Sequence, residues 1–389
     1  MKAVKLFVLG IISLTIFNSC NSNEIDDLQN QISSLETRTT LLEADVAKLK
    51  ELIEKVNTIK ESLDNLDGLV ETNTQLLNTF KDKIDSIEEA MVNSDKDMNE
   101  LEAELSEVKT ALDNFMEQNK IFPGDLIIHS SVHADIVKLF EEKAYEIIMG
   151  DLLIFNVSAS SIDYLNNLIV VGGDFSIKDT DLINLETFSN LTAAGEIRIE
   201  NNTLLESLTG LRNLTKVGKY FNITNNVLLK SLTGLENLTK FEGFFRIAEN
   251  NSLESLVGLE NLTKIGEGFT ITNNVSLESL SGLENLTEVG DDFNIWSNDK
   301  IQSLTGLESL TKIGGYLNIS SNNSLKNLTG LENLIEIEEN FNISNNNILA
   351  SFCSLQNYLN NDDSLDLFID FNAYNPSIEE IKDNNTCEQ

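Results

Sequence analysis

Histidine, cysteine and basic side chains are scarce in this chain. Two histidines and three cysteines among 389 residues leave little for a zinc site or a His-dependent active site. Lys and Arg total 27 against 63 Asp and Glu, a formal net charge of −36. A chain that acidic repels phosphate backbones, and no basic stripe interrupts the pattern, so a nucleic-acid partner is excluded. No metal or other cofactor is implied. A run long enough to span a bilayer is missing as well: the apolar stretch Leu6 to Phe17 has twelve residues, too few for a transmembrane helix.

That stretch matches the apolar region of a secretory signal instead. Lys2 and Lys5 form a basic region before it, and the small Ser19 precedes Cys20. The order resembles a bacterial lipoprotein signal, although Phe17 and Asn18 depart from the commonest residues before the cysteine. The resemblance implies cleavage after residue 19, leaving Cys20 as the acylated N-terminus and lipid as the contact with the membrane. An acidic tether, residues 20–27, follows. It resembles the surface-export signal of lipoproteins in the Bacteroides–Flavobacterium group, which implies a lipid-anchored outer-membrane protein at the cell surface. An ordinary secretory peptide with an incidental cysteine is the alternative.

Residues 28–119 are polar apart from one stripe. Leu28, Ile32, Leu35, Leu42, Val46 and Leu49 step by fours and threes, with Thr39 in one slot. A second series from Ile59 to Phe115 does the same, broken only by Asn73 and Ser94. Such a stripe predicts an α-helical coiled coil. The series join through Leu49, Leu52, Val56 and Ile59, where an extra three-residue step reads as a stammer. An unbroken helix would be about 130 Å long. Gly68 and Asn93-Ser-Asp95 are candidate breaks, so a helix folded back on itself is the other arrangement. The expected role is a spacer, with a homo-oligomer forming through the coiled coil.

From residue 122 onward the chain repeats. Glycines stand at 210, 234, 258, 282, 306 and 330, each 24 residues after the last. A fixed period of that length signals a solenoid. Leucines two before, one after and four after each glycine fill the interior, and a short strand such as Phe269-Thr-Ile271 contributes alternate side chains. Looser copies come first, among them Gly124-Asp-Leu-Ile-Ile128 and Gly150-Asp-Leu-Leu-Ile154. About ten coils stack in all. Asn226, Asn250, Asn274, Asn298, Asn322 and Asn346 recur after the strand. Their regular period points to a structural amide ladder rather than a ligand site. The repeated glycines suit a turn with positive φ rather than a phosphate cradle.

The unit L-x-S-L-x-G-L-x-N-L-x-x-I-G-x-x-F-x-I-x-x-N resembles the receptor L domain, a relative of leucine-rich repeats found in insulin-receptor ectodomains. Over residues 122–389 the resemblance implies a mainly β, right-handed β-helix-like solenoid of 24-residue leucine-rich repeats, often used in extracellular recognition. The chain lacks the cysteine-rich module of those receptors, so none of their binding residues carries over. Past Asn346 the period fails. With Cys20 lipidated in an exported protein, Cys353 and Cys387 are expected to form a disulfide over an end cap.

Chemistry has few places to sit. His129 and His133 are four apart, but the strand before them argues against one shared helix face, and no third ligand is evident. Outward strand positions are mostly Asn, Thr and Ser, which gives a carbohydrate-active enzyme little to work with. Among them Trp296, the single tryptophan, points outward beside Asn294, with Arg246 and Asn318 on the same face. These four are the candidate ligand-binding residues for a protein or glycan, since exposed tryptophan among small polar residues grips both kinds of surface. The leading expectation is therefore a non-enzymatic envelope lipoprotein displaying a binding or adhesive solenoid on a stalk. A structural protein of the envelope or periplasm is the alternative.

Overall fold

A computed structural model describes residues 22–62, 70–93, 98–129, 134–158, 162–361, 367–383 and 386–389. Cys20, Gly68, Ser94 and His133 lie outside the described residues. Two compact units divide at Pro123/Gly124.

Among its described residues the first unit holds three helices: α1 (Ser22–Ser62), α2 (Val70–Asn93) and α3 (Met98–Gln118). They pack against one another within the chain, so the folded-back arrangement is the one adopted. Lys50 of α1 pairs with Asp85 and Glu88 of α2, and Glu54 with Lys81, which sets those two helices antiparallel. Arg38 pairs with Glu102 at 2.6 Å, and Asp45 pairs with Lys109, so α3 runs parallel to α1. Inside lie Leu42, Val46, Leu49 and Ile53 of α1, Ile84 and Ile87 of α2, and Leu105, Val108 and Leu112 of α3. Phe80 meets Phe115 edge to face at 6.5 Å. The stammer is not needed as far as Ile53: that residue is buried and Leu52 only half so, which keeps the 4-3-4 spacing from Leu42. Leu35, on the same stripe, is 45% exposed.

The second unit is a parallel β-solenoid of about ten turns. One strand per coil enters the main sheet, and neighbouring strands pair in parallel at the repeat distance. Phe245, Phe269 and Phe293 align, as do Ile247, Ile271 and Ile295. These side chains face inward and are fully buried. Stacking neighbours this way makes each coil's apolar face useful only next to another coil. The phenylalanine rings form a continuous stack, with centroids 4.8, 5.3 and 5.1 Å apart from Phe221 to Phe293. A second, narrow parallel sheet joins Lys240–Phe241, Lys264–Ile265, Glu288–Val289, Lys312–Ile313 and Glu336–Ile337.

The corners explain the repeat sequence. Each ladder asparagine donates from Nδ2 to the strand isoleucine carbonyl of the preceding coil, as Asn298 does to Ile271 at 2.9 Å. Its Oδ1 accepts the backbone N–H of the preceding coil's asparagine, Asn274 N to Asn298 Oδ1 at 3.1 Å. A buried turn is thereby satisfied without water. Gly234, Gly258, Gly282, Gly306 and Gly330 have φ between 110° and 115°. Gly210 does not share that conformation. There the glycine is needed for close approach, since a Cβ would stand 1.7 Å from the Leu185 carbonyl oxygen.

Both ends depart from the period. A helix, α4 (Ala134–Lys143), follows the strand Leu126–Ile128 and buries Phe140 against Tyr145 and Tyr164. No repeat signal announces it. At the far end the coil geometry outlasts the repeat sequence. Leu367–Asp370 pairs in parallel with Phe341–Ser344, and Asn372 takes the next ladder place, bonding the Ile343 carbonyl at 2.9 Å. Two short helices, α5 (Gln356–Asn361) and α6 (Ile378–Lys382), complete the cap. Cys353 and Cys387 are joined by a disulfide, with Cα atoms 5.0 Å apart.

Candidate functional site

The outer face of the main sheet carries three rows of side chains, each running from coil to coil. Strand alternation makes them: with Phe293 and Ile295 buried, Asn294 and Trp296 turn outward. One row reads Asn222, Arg246, Thr270, Asn294, Asn318, Asn342. The next reads Thr224, Ala248, Thr272, Trp296, Ser320, Ser344. The structure therefore brings the four candidate residues onto one face. Asn294 and Asn318 are direct cross-strand partners, Trp296 follows Asn294 on its own strand, and Arg246 lies two strands away in the Asn294 row.

Outward does not mean fully exposed. Trp296 is half-buried, and Thr272, paired with it in register, has no accessible surface. The indole is the largest side chain of its row. Amides are bonded along their row: Asn318 Nδ2 donates to Asn294 Oδ1 at 3.3 Å, and Asn342 Nδ2 to Asn318 Oδ1 at 2.7 Å. Arg246 has no hydrogen-bond or ion-pair partner among the described residues.

A third row, one step before the inward phenylalanine, escaped the sequence reading. It runs Asp174, Glu196, Tyr220, Phe244. Tyr220 and Phe244 stack with centroids 5.9 Å apart, and the guanidinium of Arg198 sits over the Tyr220 ring at 4.6 Å. Phe244 also reaches across Gly268, where a Cβ would lie 2.9 Å from the ring. Counting the alternation one residue further back from each inward phenylalanine would have found these aromatics.

The two acids of this row are held by Arg198, which stands in register with Asn222 in the adjoining row. Arg198 bonds Asp174 at 2.8 Å and Glu196 at 2.5 Å. Burial raises the Asp174 carboxyl above the usual range, against the pull of Arg198. Burial likewise raises Asp292, although the Tyr316 backbone N–H donates to it. Among the described residues no group of three or more His, Cys, Asp or Glu could hold a metal ion. His129 stacks on Phe155 with centroids 5.6 Å apart.

The fold and this face together define a parallel β-solenoid with one aromatic-bearing outer sheet. Compared with family models, curated proteins and solved structures, the chain matches none of them. Among the described residues no helix is long and apolar enough to cross a membrane.

Proposed function

We propose that this protein is a non-enzymatic cell-surface lipoprotein, anchored through Cys20, whose solenoid binds a protein or glycan ligand. On this reading the repeats are receptor-L-domain-like leucine-rich repeats, and the helical segment, with its coiled-coil spacing, holds them away from the membrane. The observation that carries the binding role is the outer face of the main sheet. Aromatic planes at Tyr220, Phe244 and Trp296 flank rows of amides and hydroxyls. Such mixed surfaces supply both contact area and hydrogen bonds to a ligand. The N-terminal order of basic residues, apolar run and cysteine supports the anchor.

Protease shaving of intact cells, with a periplasmic protein as control, tests the display. Release of the solenoid while the control survives is the expected result. Cleavage only after the outer membrane is opened would assign the protein to the envelope interior and favour a structural role.

A further inference from the structure

In a chain with 63 acidic residues, the two outward rows from Asn222 to Ser344 contain no Asp or Glu. The narrow sheet is different. There Lys264 pairs with Glu288, and Lys312 with Glu336 and Glu338. Between Glu200 at one end and Asp370 at the other, Arg246 is the one charged side chain of the strip. On a strongly negative body, a strip so nearly free of charge is where an uncharged ligand meets least competition. Anions are repelled by the surrounding field, and cations are drawn to the acidic faces.

The strip is already ordered. Asn294, Asn318 and Asn342 bond one another along the row, so their side chains lose little freedom on meeting a ligand. Asn318 keeps a second N–H, Asn294 keeps both, and their oxygens keep lone pairs. Neighbouring strands are about 4.8 Å apart, close to the length of one pyranose unit. Asn294, Asn318 and Asn342, half-buried on three successive coils, thus offer one amide per sugar, whereas Asn222 and Thr270 are nearly covered. Arg246, without a partner of its own, adds a planar set of donors. Phe244 at one end and Trp296 alongside offer flat apolar surfaces to the C–H faces of sugar rings.

We infer that this row is a track for an uncharged, pyranose-based glycan lying along the solenoid axis. The inference rests on the binding function proposed above and names its ligand class.

Native gel electrophoresis of the full chain through hydroxyethylcellulose, glucomannan or dextran tests it, with polygalacturonate as the anionic comparison. At least one uncharged polymer should retard the protein, equally at low and high salt. Asn318→Ala, Arg246→Ala and Trp296→Ala should each weaken the retardation about tenfold, the scale of one lost hydrogen bond or stacking contact. Lys264→Ala on the narrow sheet should change nothing, and circular dichroism checks that every variant folds. Retardation by polygalacturonate alone would overturn the uncharged class while leaving a binding function standing. Retardation that all three variants retain would move the site elsewhere. No retardation by any polymer, with the solenoid still released by shaving, would overturn the glycan track and turn the search to protein ligands.

Discussion

The side-chain oxygen of Asn274 accepts the backbone N–H of Asn250 at 3.0 Å across the gap between two coils. Its Nδ2 also donates to the Ile247 carbonyl at 3.0 Å. One fully buried side chain therefore ties two backbone groups of the preceding coil, and the same pair of bonds recurs from Asn226 to Asn346.

Asn274→Ala removes an acceptor and a donor at once and leaves buried backbone groups without them. At about 1–3 kcal/mol for each unsatisfied group, the loss should be roughly 2–5 kcal/mol. Urea unfolding followed by circular dichroism measures it. A loss under about 1 kcal/mol would mean that the ladder adds little beyond the sheet bonds.

Gly258 separates two reasons for glycine. Its φ is 114°, and a Cβ there would meet the Leu232 carbonyl oxygen at 2.1 Å. Gly258→Ala should cost well over 1 kcal/mol, above the ordinary scale of a glycine-to-alanine change (~1 kcal/mol). Gly124→Ala, with nothing within 4 Å, is the matched control and should be near neutral. Equal melting temperatures for the two variants would contradict the close-approach argument.

Tyr164 provides a pH test. Burial raises its phenol from the ordinary 10.0 to about 12, and its buried oxygen has no hydrogen-bond partner among the described residues. Above pH 10 an unfolded tyrosine gives up its proton while the folded one holds it, so the unfolded state gains and stability falls until about pH 12. Tyr164→Phe should remove part of that alkaline loss and leave neutral stability equal or slightly higher. Melting curves of both proteins across that window decide the matter.

The Cys353–Cys387 disulfide closes a loop with a sequence separation of 34. In the chain-entropy account a loop of that length is worth about 4 kcal/mol. Reductant, or the paired change Cys353→Ser and Cys387→Ser, should lower the urea midpoint accordingly. Hydrogen exchange should rise first in Leu367–Asp370 and in the helix Ile378–Lys382, the elements beside the bond, because terminal coils open before central ones.

The repeating part of the solenoid was legible because its information is local. A period of 24 places Phe269, Ile271 and the leucines by spacing alone, and Asn274 recurs where a buried turn must be satisfied. Thr180 at the start of the ladder and Asn372 at its end were not legible. They hold the same place without the repeat around them, which shows only once the coils are stacked. Of the candidate face, Trp296 and Asn294 followed from alternation. Tyr220 and Phe244 did not, because their position, before the inward phenylalanine, carries no repeating residue type: Asp174, Glu196, Gly268 and Asp292 share it.

By itself the sequence determined the coil: which side chains point inward and where the turns need glycine. All of these are set by neighbours a few residues away or one period apart. Only the tertiary structure decided that the heptad stripes close on one another within a single chain, with Lys50 against Asp85 and Arg38 against Glu102. It also decided that Thr272 disappears beside Trp296. A stripe of leucines is equally satisfied by a neighbouring helix of its own chain or of another. Nothing short of the packed arrangement separates those partners, because apolar burial has magnitude without direction.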